Sequence, residues 1–552
     1  MPDIAPLAPH ASLPKSEAPV LVCILDGWGE NVVKDEYNAI NVADTPTTDA
    51  LKDVPGRWRT VRAHGTAVGL PSDADMGNSE VGHNALGSGQ VIDQGARLVD
   101  IALEDGSAFK LDGWKYISES FTEHTVHFIG LLSDGGVHSR IDQLLGFVRG
   151  AARDGAKRIR VHMLTDGRDV PDGSSVKYTE ELEKDLAAVE GCDAKIASGG
   201  GRMYVTMDRY EADWSIVERG WHAHVLGEAP HTFTSALEAV KTLREGGGKP
   251  VSDQWLPPFV IIDDAGKPVG TIEDGDAVAI FNFRSDRVIE ISKAFEYEDF
   301  SAFDRKRFPK TRFVGMMQYD GDLKLPARFL VPPPAIHGVS GKLLADAGVT
   351  TFACSETQKF GHVTFFWNGN VSGYFNEELE TYVEIPSDKV PFNEAPDMKA
   401  REITEAGKEA LRSGKFQMVR VNYANPDMVG HTGDLKATTR ACALVDSCVK
   451  ELLATIDSLG GRWLVTADHG NADDMVQRAK KTNEPLKNEK GELQLLTSHT
   501  LAPVPVAIGG AGLPADIKFR EDLPNAGLAN ITGTYLNLLG FATPAHMEPS
   551  LI

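Results

Sequence analysis

The chain has 552 residues, 42% of them hydrophobic and 24% charged, with a formal net charge of −23. That length exceeds one ordinary core, so two or more domains are expected, and the composition is that of a globular enzyme. The acidic balance excludes nucleic acid and acidic membrane surfaces as partners, because both need a basic face, and no apolar run of about 18 residues offers a membrane span.

Residues 1–19 hold Pro2, Pro6, Pro9, Pro14 and Pro19 and no apolar stretch of a secretory signal, so they read as a flexible tail. Val20–Leu25 is a continuous apolar run that stops at Asp26-Gly27-Trp28-Gly29, the pattern of a strand buried on both faces with an aspartate just past its carboxyl end. Met76–Gly89, Met-Gly-Asn-Ser-Glu-Val-Gly-His-Asn-Ala-Leu-Gly-Ser-Gly, frames Ser79 with glycines. It reads either as a segment that admits a charged ligand close to the main chain or as a plain surface turn. The strand pattern recurs at Val126–Leu132 before Ser133-Asp134-Gly135-Gly136, at Ile159–Leu164 before Thr165-Asp166-Gly167-Arg168-Asp169, and at Trp463–Thr466 before Ala467-Asp468-His469-Gly470. Open parallel sheets bind ligands beyond the carboxyl ends of their strands, so these polar strand ends are candidate sites.

Ile141, Leu144, Leu145, Val148 and Ala152 have helical spacing, as do Ala441, Leu444, Val445, Cys448 and Leu452, the second helix ending at Gly460-Gly461. Strands alternating with helices give an α/β fold class. Val331-Pro332-Pro333-Pro334 reads as a stiff linker, and Gln477–Gly491 as a solvated insertion loop. Cys23, Cys192, Cys354, Cys442 and Cys448 are scattered and odd in number, which suits reduced thiols in a cytosolic protein.

The residues that carry chemistry fall into two groups. Asn425-Pro426-Asp427-Met428-Val429-Gly430-His431 sets a carboxylate four residues before an imidazole, and Asp26, Asp468, His469 and His499 add further ligands. Asp and His without thiolates suit Mn²⁺, Zn²⁺ or a similar divalent ion, and the set is rich enough for two sites. Two metals could clamp a phosphoryl group and ionise a serine at once. In the second group, Arg168-Asp169, Arg202, Arg209 and the run Asn282-Phe283-Arg284-Ser285-Asp286-Arg287 lie between the serine stretch and the triple proline. Their guanidinium forks suit a small, multiply charged acid. His138, in Ser-Asp-Gly-Gly-Val-His-Ser-Arg, suits substrate binding, proton transfer or a structural bond within its turn.

Together these segments resemble the cofactor-independent phosphoglycerate mutases of the alkaline-phosphatase-like superfamily. The resemblance covers nearly the whole chain after residue 19: Asp26–Gly29, Met76–Gly82, Ser133–Ser139, Asp166–Asp169, Met207–Arg209, Phe281–Arg287, Asn425–His431, Asp468–Asp473 and Ser498–Thr500 stand in the family's order. The string Arg-His-Gly-Glu, which opens the site of the phosphohistidine mutases, is absent. The resemblance implies an α/β, alkaline-phosphatase-like metal domain (20–93 and 334–552) with a second α/β transferase domain (94–333) inserted in it. It implies that Asp427, His431 and His499 bind one divalent ion and that Asp26, Ser79, Asp468 and His469 bind another. Manganese is the usual ion, with cobalt or magnesium accepted by some members. The implied substrate site comprises His138, Arg168, Asp169, Arg202, Arg209, Arg284 and Arg287, with Lys359 reaching the phosphoryl group.

The implied reaction interconverts 3-phosphoglycerate and 2-phosphoglycerate through a phosphoserine at Ser79, without 2,3-bisphosphoglycerate. Asp169 is the candidate for steering a proton, and domain closure would shut out water. The resemblance further implies a cytoplasmic monomer. A metal-dependent phosphatase or a phosphopentomutase of the same superfamily is the alternative enzyme, and a binding protein without catalysis is a third reading. The arginine-rich insert favours the mutase, and the intact Ser79 with its potential ligands weighs against the third.

Overall fold

Continuous apolar runs become the central strands of two seven-stranded sheets. The computed structural model describes residues 4–552 except 71, 209–212, 249, 321–322, 335, 389, 480–481 and 488–490. The chain divides into two units, one formed by Met1–Gln94 with Ala335–Ile552 and the other by Gly95–Pro334, each with its own apolar core.

In the first unit the sheet order is Glu380–Ile385, Thr351–Glu356, Met418–Tyr423, Val20–Leu25, Arg462–Thr466, Val504–Gly509 and Trp58–Val61. All pairs are parallel except those made by Val504–Gly509. Val20–Leu25 is buried at every position because helices cover both faces, which is why it reads as an unbroken apolar run. One of these helices, Leu435–Ser458, turns Ala441, Leu444, Val445, Cys448 and Leu452 inward; the Asp434 side chain caps its start by accepting from Ala437 N–H at 3.0 Å. Gly460, with φ +72°, ends it.

In the second unit the order is His231–Phe233, Phe259–Ile261, Asp193–Gly201, Arg158–Thr165, Val126–Leu132, Ala277–Ile280 and Arg312–Val314. Only the pairing of Phe259–Ile261 with Asp193–Gly201 is antiparallel. The helix Ile141–Arg153 packs its Leu144, Leu145, Phe147 and Val148 face into the core.

Two expectations need correction. Residues 4–19 are docked, not a flexible tail: His10 N–H donates to Gly540 O at 2.8 Å, Ser16 N–H to Leu539 O at 3.2 Å, and Ala542 N–H to Ala8 O at 2.8 Å. Leu13 is buried and Ile4 and Leu7 pack on the core, so the segment gains from the end of the helix Ala529–Leu539 and the residues after it the hydrogen bonds that its prolines deny it locally. Met76–Gly89 is not a turn either; Ser79–Ser88 is a helix, buried at every residue but Glu80. Of its glycines, Gly82 is required by contact, since a Cβ there would stand 2.8 Å from the Asp468 carbonyl oxygen. Among the described residues no helix is long and apolar enough to cross a membrane, and the five cysteines form no disulfide.

Candidate active site

Four neighbouring parallel strands of the first unit, Thr351–Glu356, Met418–Tyr423, Val20–Leu25 and Arg462–Thr466, deliver one group of side chains at their carboxyl ends. Lys359 lies on the turn of helix after the first, Asp427 on the short helix Asn425–Gly430 after the second, Asp26 directly after the third, and Asp468 and His469 after the fourth. Ser79 joins them as the first residue of its helix, whose cap is the Asn78 side chain accepting from Val81 N–H at 3.1 Å. The helix terminus thus turns unpaired backbone N–H groups towards the serine, a setting that favours an anion there. Gly27, with φ +77°, lets the Asp427 backbone close on Asp26; a Cβ would stand 2.7 Å from Asp427 Cα.

Ser79 Oγ lies 2.5 Å from Lys359 Nζ, 2.8 Å from His469 Nε2 and 3.3 Å from Asp26 Oδ1. Lys359 Nζ also pairs with Asp26 at 2.7 Å and Asp427 at 2.8 Å. Burial pushes the Asp26 carboxyl above its ordinary range, and the Asp468 charge adds to this against the pull of Lys359. Asp468 is raised as well, by burial. Burial also raises Asp427, but Lys359, His431 and His469 outweigh it and hold that group well below the usual carboxylate range. Burial works against the Lys359 charge, yet the three aspartates raise its pKa further.

His431, His499 and Asp427 converge: the two Nε2 atoms are 3.1 Å apart and lie 3.2 Å and 3.3 Å from Asp427 Oδ1. Each imidazole spends its Nδ1 proton on a carbonyl, His431 on Thr497 O at 2.6 Å and His499 on Gly77 O at 2.7 Å. That leaves lone pairs facing one another across a carboxylate oxygen, the arrangement in which carbonyl bonds orient imidazoles for a cation. Asp468 Oδ2, buried without a hydrogen-bond donor, and one lysine among three buried carboxylates make the same demand for positive charge. Oxygen and imidazole donors without thiolate fit a hard or borderline divalent ion.

Sequence reasoning missed His83. It sits one helical turn after Ser79, donates from Nδ1 to Ser79 O at 2.8 Å and lies 3.4 Å from Asp468 Oδ2. It groups with Asp26 and Asp468 closely enough to share a cation, while His469 groups with Asp26 and Asp427. Asn422 bridges Asp26 Oδ2 at 2.8 Å and His83 Nε2 at 3.1 Å. The four-residue spacing from Ser79 to His83 was the available signal.

The second unit gathers its own group beyond Asp193–Gly201, Arg158–Thr165, Val126–Leu132 and Ala277–Ile280, again four neighbouring strands. Arg202 is buried and pairs with Asp166 Oδ1 at 2.7 Å and Asp169 Oδ2 at 2.5 Å. His138 lies between Asp169, at 3.9 Å, and Asp286, at 3.5 Å. Arg284 reaches Asp286 at 3.2 Å, and Arg287 Nη1 donates to Met207 O at 2.8 Å. Burial lowers His138 well below its ordinary value against the charge of Asp286, and Arg202, Arg284 and Arg287 add to the lowering. Asp169 is raised by burial despite Arg202. Arg168 follows Gly167 in a loop shaped by Asp166, whose Oδ1 accepts from Arg168 and Asp169 N–H, both at 3.1 Å, and whose Oδ2 accepts from Ser133 Oγ at 2.6 Å. Arg209 lies outside the described residues.

Asp253 is a second residue the sequence did not disclose. Fully buried and paired with Arg244, it accepts from Gly173 N–H at 2.8 Å and Ser175 N–H at 3.1 Å, while its carbonyl takes Thr165 Oγ1 at 2.6 Å. It therefore fastens both ends of the loop that carries Arg168 and Asp169.

A parallel α/β sheet presenting a helix-tip serine among oxygen and imidazole donors defines an α/β metalloenzyme. The family model described as Metalloenzyme superfamily matches residues 18–543. The chain is 60% identical over 550 residues to the 2,3-bisphosphoglycerate-independent phosphoglycerate mutase of Mesembryanthemum crystallinum, covering 99% of this chain and 98% of that one. It is 59% identical over 550 residues to the enzyme of the same name from Trypanosoma brucei brucei, covering 99% of each. A crystal structure of Leishmania mexicana phosphoglycerate mutase at low cobalt concentration matches with a TM-score of 0.85 and 58% identity over 99% of both chains. The chain belongs to the 2,3-bisphosphoglycerate-independent phosphoglycerate mutases, isomerases of glycolysis.

Proposed function

We propose that this chain interconverts 3-phosphoglycerate and 2-phosphoglycerate through a phosphoserine formed on Ser79. The observation that carries the reading is the placing of Ser79 Oγ at a helix N-terminus within 2.5 Å of the Lys359 ammonium and 2.8 Å of His469. Ser79 gives up its hydroxyl proton and its Oγ attacks phosphorus while the bond to the substrate oxygen breaks; that oxygen takes a proton. The other glycerate hydroxyl then gives up a proton, attacks the phosphoserine, and releases Ser79 unchanged. Lys359 offsets charge on the serine and on the phosphoryl oxygens. Arg168, Arg202, Arg284 and Arg287 hold the glycerate carboxylate and hydroxyls, and Arg209 joins them from its place in the sequence. Asp169, a buried carboxyl with a raised pKa beside His138, suits the giving and taking of that proton.

Asp427, His431 and His499 would hold one divalent ion and Asp26, Asp468 and His469, with Ser79, the other. When bound, such ions supply the charge that ionises a serine and neutralises a phosphoryl group, and manganese is the first candidate. The protein acts in this reading as a cytoplasmic monomer on a small-molecule substrate.

The test is conversion of 3-phosphoglycerate by manganese-loaded protein without 2,3-bisphosphoglycerate, read by coupling 2-phosphoglycerate to enolase with free phosphate assayed in parallel. Chelator-sensitive conversion with little phosphate supports the mutase, and phosphate alone would convert the reading to a phosphatase. Ser79→Ala should lower kcat by roughly 10⁴-fold or more with the fold intact; near-normal turnover in that variant excludes the phosphoserine.

A further inference from the structure

Three histidines of the second unit, His127, His162 and His224, are buried and take no part in the site described above. They belong to one unbroken line of contacts. Asp276 Oδ2 lies 3.1 Å from His127 Nε2, His127 Nδ1 lies 2.9 Å from His162 Nε2, and His162 Nδ1 lies 2.7 Å from Ser198 Oγ. Ser198 Oγ lies 2.7 Å from His224 Nδ1, and His224 Nε2 lies 2.8 Å from Thr206 Oγ1. His162 pairs in register with Ser198 and with Ile129, two residues after His127, so the line crosses three strands on one face of the sheet.

The geometry points to a single directional chain of hydrogen bonds running from Thr206 to the Asp276 carboxylate, which makes Thr206 and His224 positioning residues for Arg287; the functional half rests on the reading that Arg287 holds the substrate acid. The direction follows from the end that cannot reverse. Asp276 accepts from Thr125 N–H at 2.8 Å and Glu273 N–H at 2.8 Å. Burial pushes its carboxyl up, but these donors and His127 outweigh it and hold it below the ordinary range, so it is ionised and accepts only. His127 Nε2 must then donate.

Burial lowers all three imidazoles, His224 to about 3, and a neutral imidazole carries one N–H. His127 Nδ1 therefore accepts from His162 Nε2–H, His162 Nδ1 accepts from the Ser198 hydroxyl, Ser198 accepts from His224 Nδ1–H, and His224 Nε2 accepts from the Thr206 hydroxyl. Each group between the two ends gives one proton along the chain and takes one, and no tautomer remains free.

The far end of the chain is where this bears on the site. Thr206 has φ +69°, a left-handed conformation that a β-branched residue rarely adopts without support. Its support is the His224 bond, its own N–H donating to Ile216 O at 2.8 Å, and the close approach of Gly220, where a Cβ would stand 2.0 Å from Thr206 Oγ1. The next residue, Met207, turns its carbonyl to Arg287 Nη1 at 2.8 Å. The tautomer set at Asp276 is thereby converted into the placing of one guanidinium.

Ring-¹⁵N NMR of histidine-labelled full-length protein should show slowly exchanging protons on His127 Nε2, His162 Nε2 and His224 Nδ1; a proton on His224 Nε2 overturns the direction. In the coupled assay, Thr206→Val should raise KM for 3-phosphoglycerate about tenfold with kcat within about twofold, and Thr206→Ser should restore the wild-type KM. An unchanged KM in Thr206→Val overturns the positioning role. Should Thr206→Val not fold, Ser198→Ala, which breaks the chain two links away, carries the same expectation and the same refutation. Wild-type protein that fails to convert 3-phosphoglycerate refutes the mutase reading and with it the Arg287 role, while the NMR result decides the chain by itself.

Discussion

The two units use one scaffold for opposite charges. In each, four neighbouring parallel strands end in a polar cluster. In the first unit three buried aspartates share one lysine, leaving a deficit of positive charge beside a serine. In the second unit buried Arg202 bridges Asp166 and Asp169, and Arg284 and Arg287 add further positive charge. The sheet decides where ligands meet the protein, and the residues just past each strand decide whether they are cations or anions.

Removing the central cation from each cluster should separate the two. Lys359→Met and Arg202→Met each leave aspartates buried without their partner, a cost of about 3–5 kcal/mol in metal-free protein. Hydrogen exchange, read over residues 95–334 and over the remainder, should locate each loss in its own unit. Excess manganese should restore much of the Lys359→Met loss and none of the Arg202→Met loss; equal rescue of both would erase the distinction between the clusters. Arg284→Ala should raise KM for 3-phosphoglycerate roughly 10–100-fold with manganese affinity unchanged, and lost metal with unchanged KM would reverse the assignment of the two clusters.

Protons touch both units. His83 is lowered to about 4 and His224 to about 3, by burial first in each case, against an ordinary value of 6.5. The unfolded chain binds these protons at a higher pH than the folded one. Their share of the stability is therefore full above about 6.5 and is lost as pH falls below it, by about 1.4 kcal/mol per unit for each group. Urea midpoints of metal-free protein between pH 7 and 5 should show the fall, and His224→Leu should make it shallower by one proton; an identical slope would contradict the lowered pKa.

Much of the site could be read in the sequence because parallel strands buried on both faces must be apolar throughout, so Asp26 and Asp468 stand out at the point where each run stops. Val126–Leu132 was legible to the residue for the same reason. The three-residue strands Phe259–Ile261 and Arg312–Val314 were not, being too short to show a period. Met76–Gly89 left a turn open as one of two readings because glycines that serve close packing have the same letters as glycines that serve a bend. His83 and Asp253 act through partners hundreds of residues away or across a loop, and single polar letters in an ordinary context carry no sign of that. The docking of residues 4–19 depended on Gly540 and Phe541, which no local pattern connects to them.

The first unit's division into two stretches of chain bears on synthesis. Val20–Leu25 pairs with Met418–Tyr423 and Arg462–Thr466, nearly the full chain later, and Arg462 Nη1 closes on Pro14 O at 3.1 Å and Leu538 O at 2.7 Å. A ribosome has therefore released Gly95–Pro334, an uninterrupted unit able to collapse on its own contacts, while the neighbours of that first strand are still unmade. Until they arrive, an apolar strand waits with both edges open.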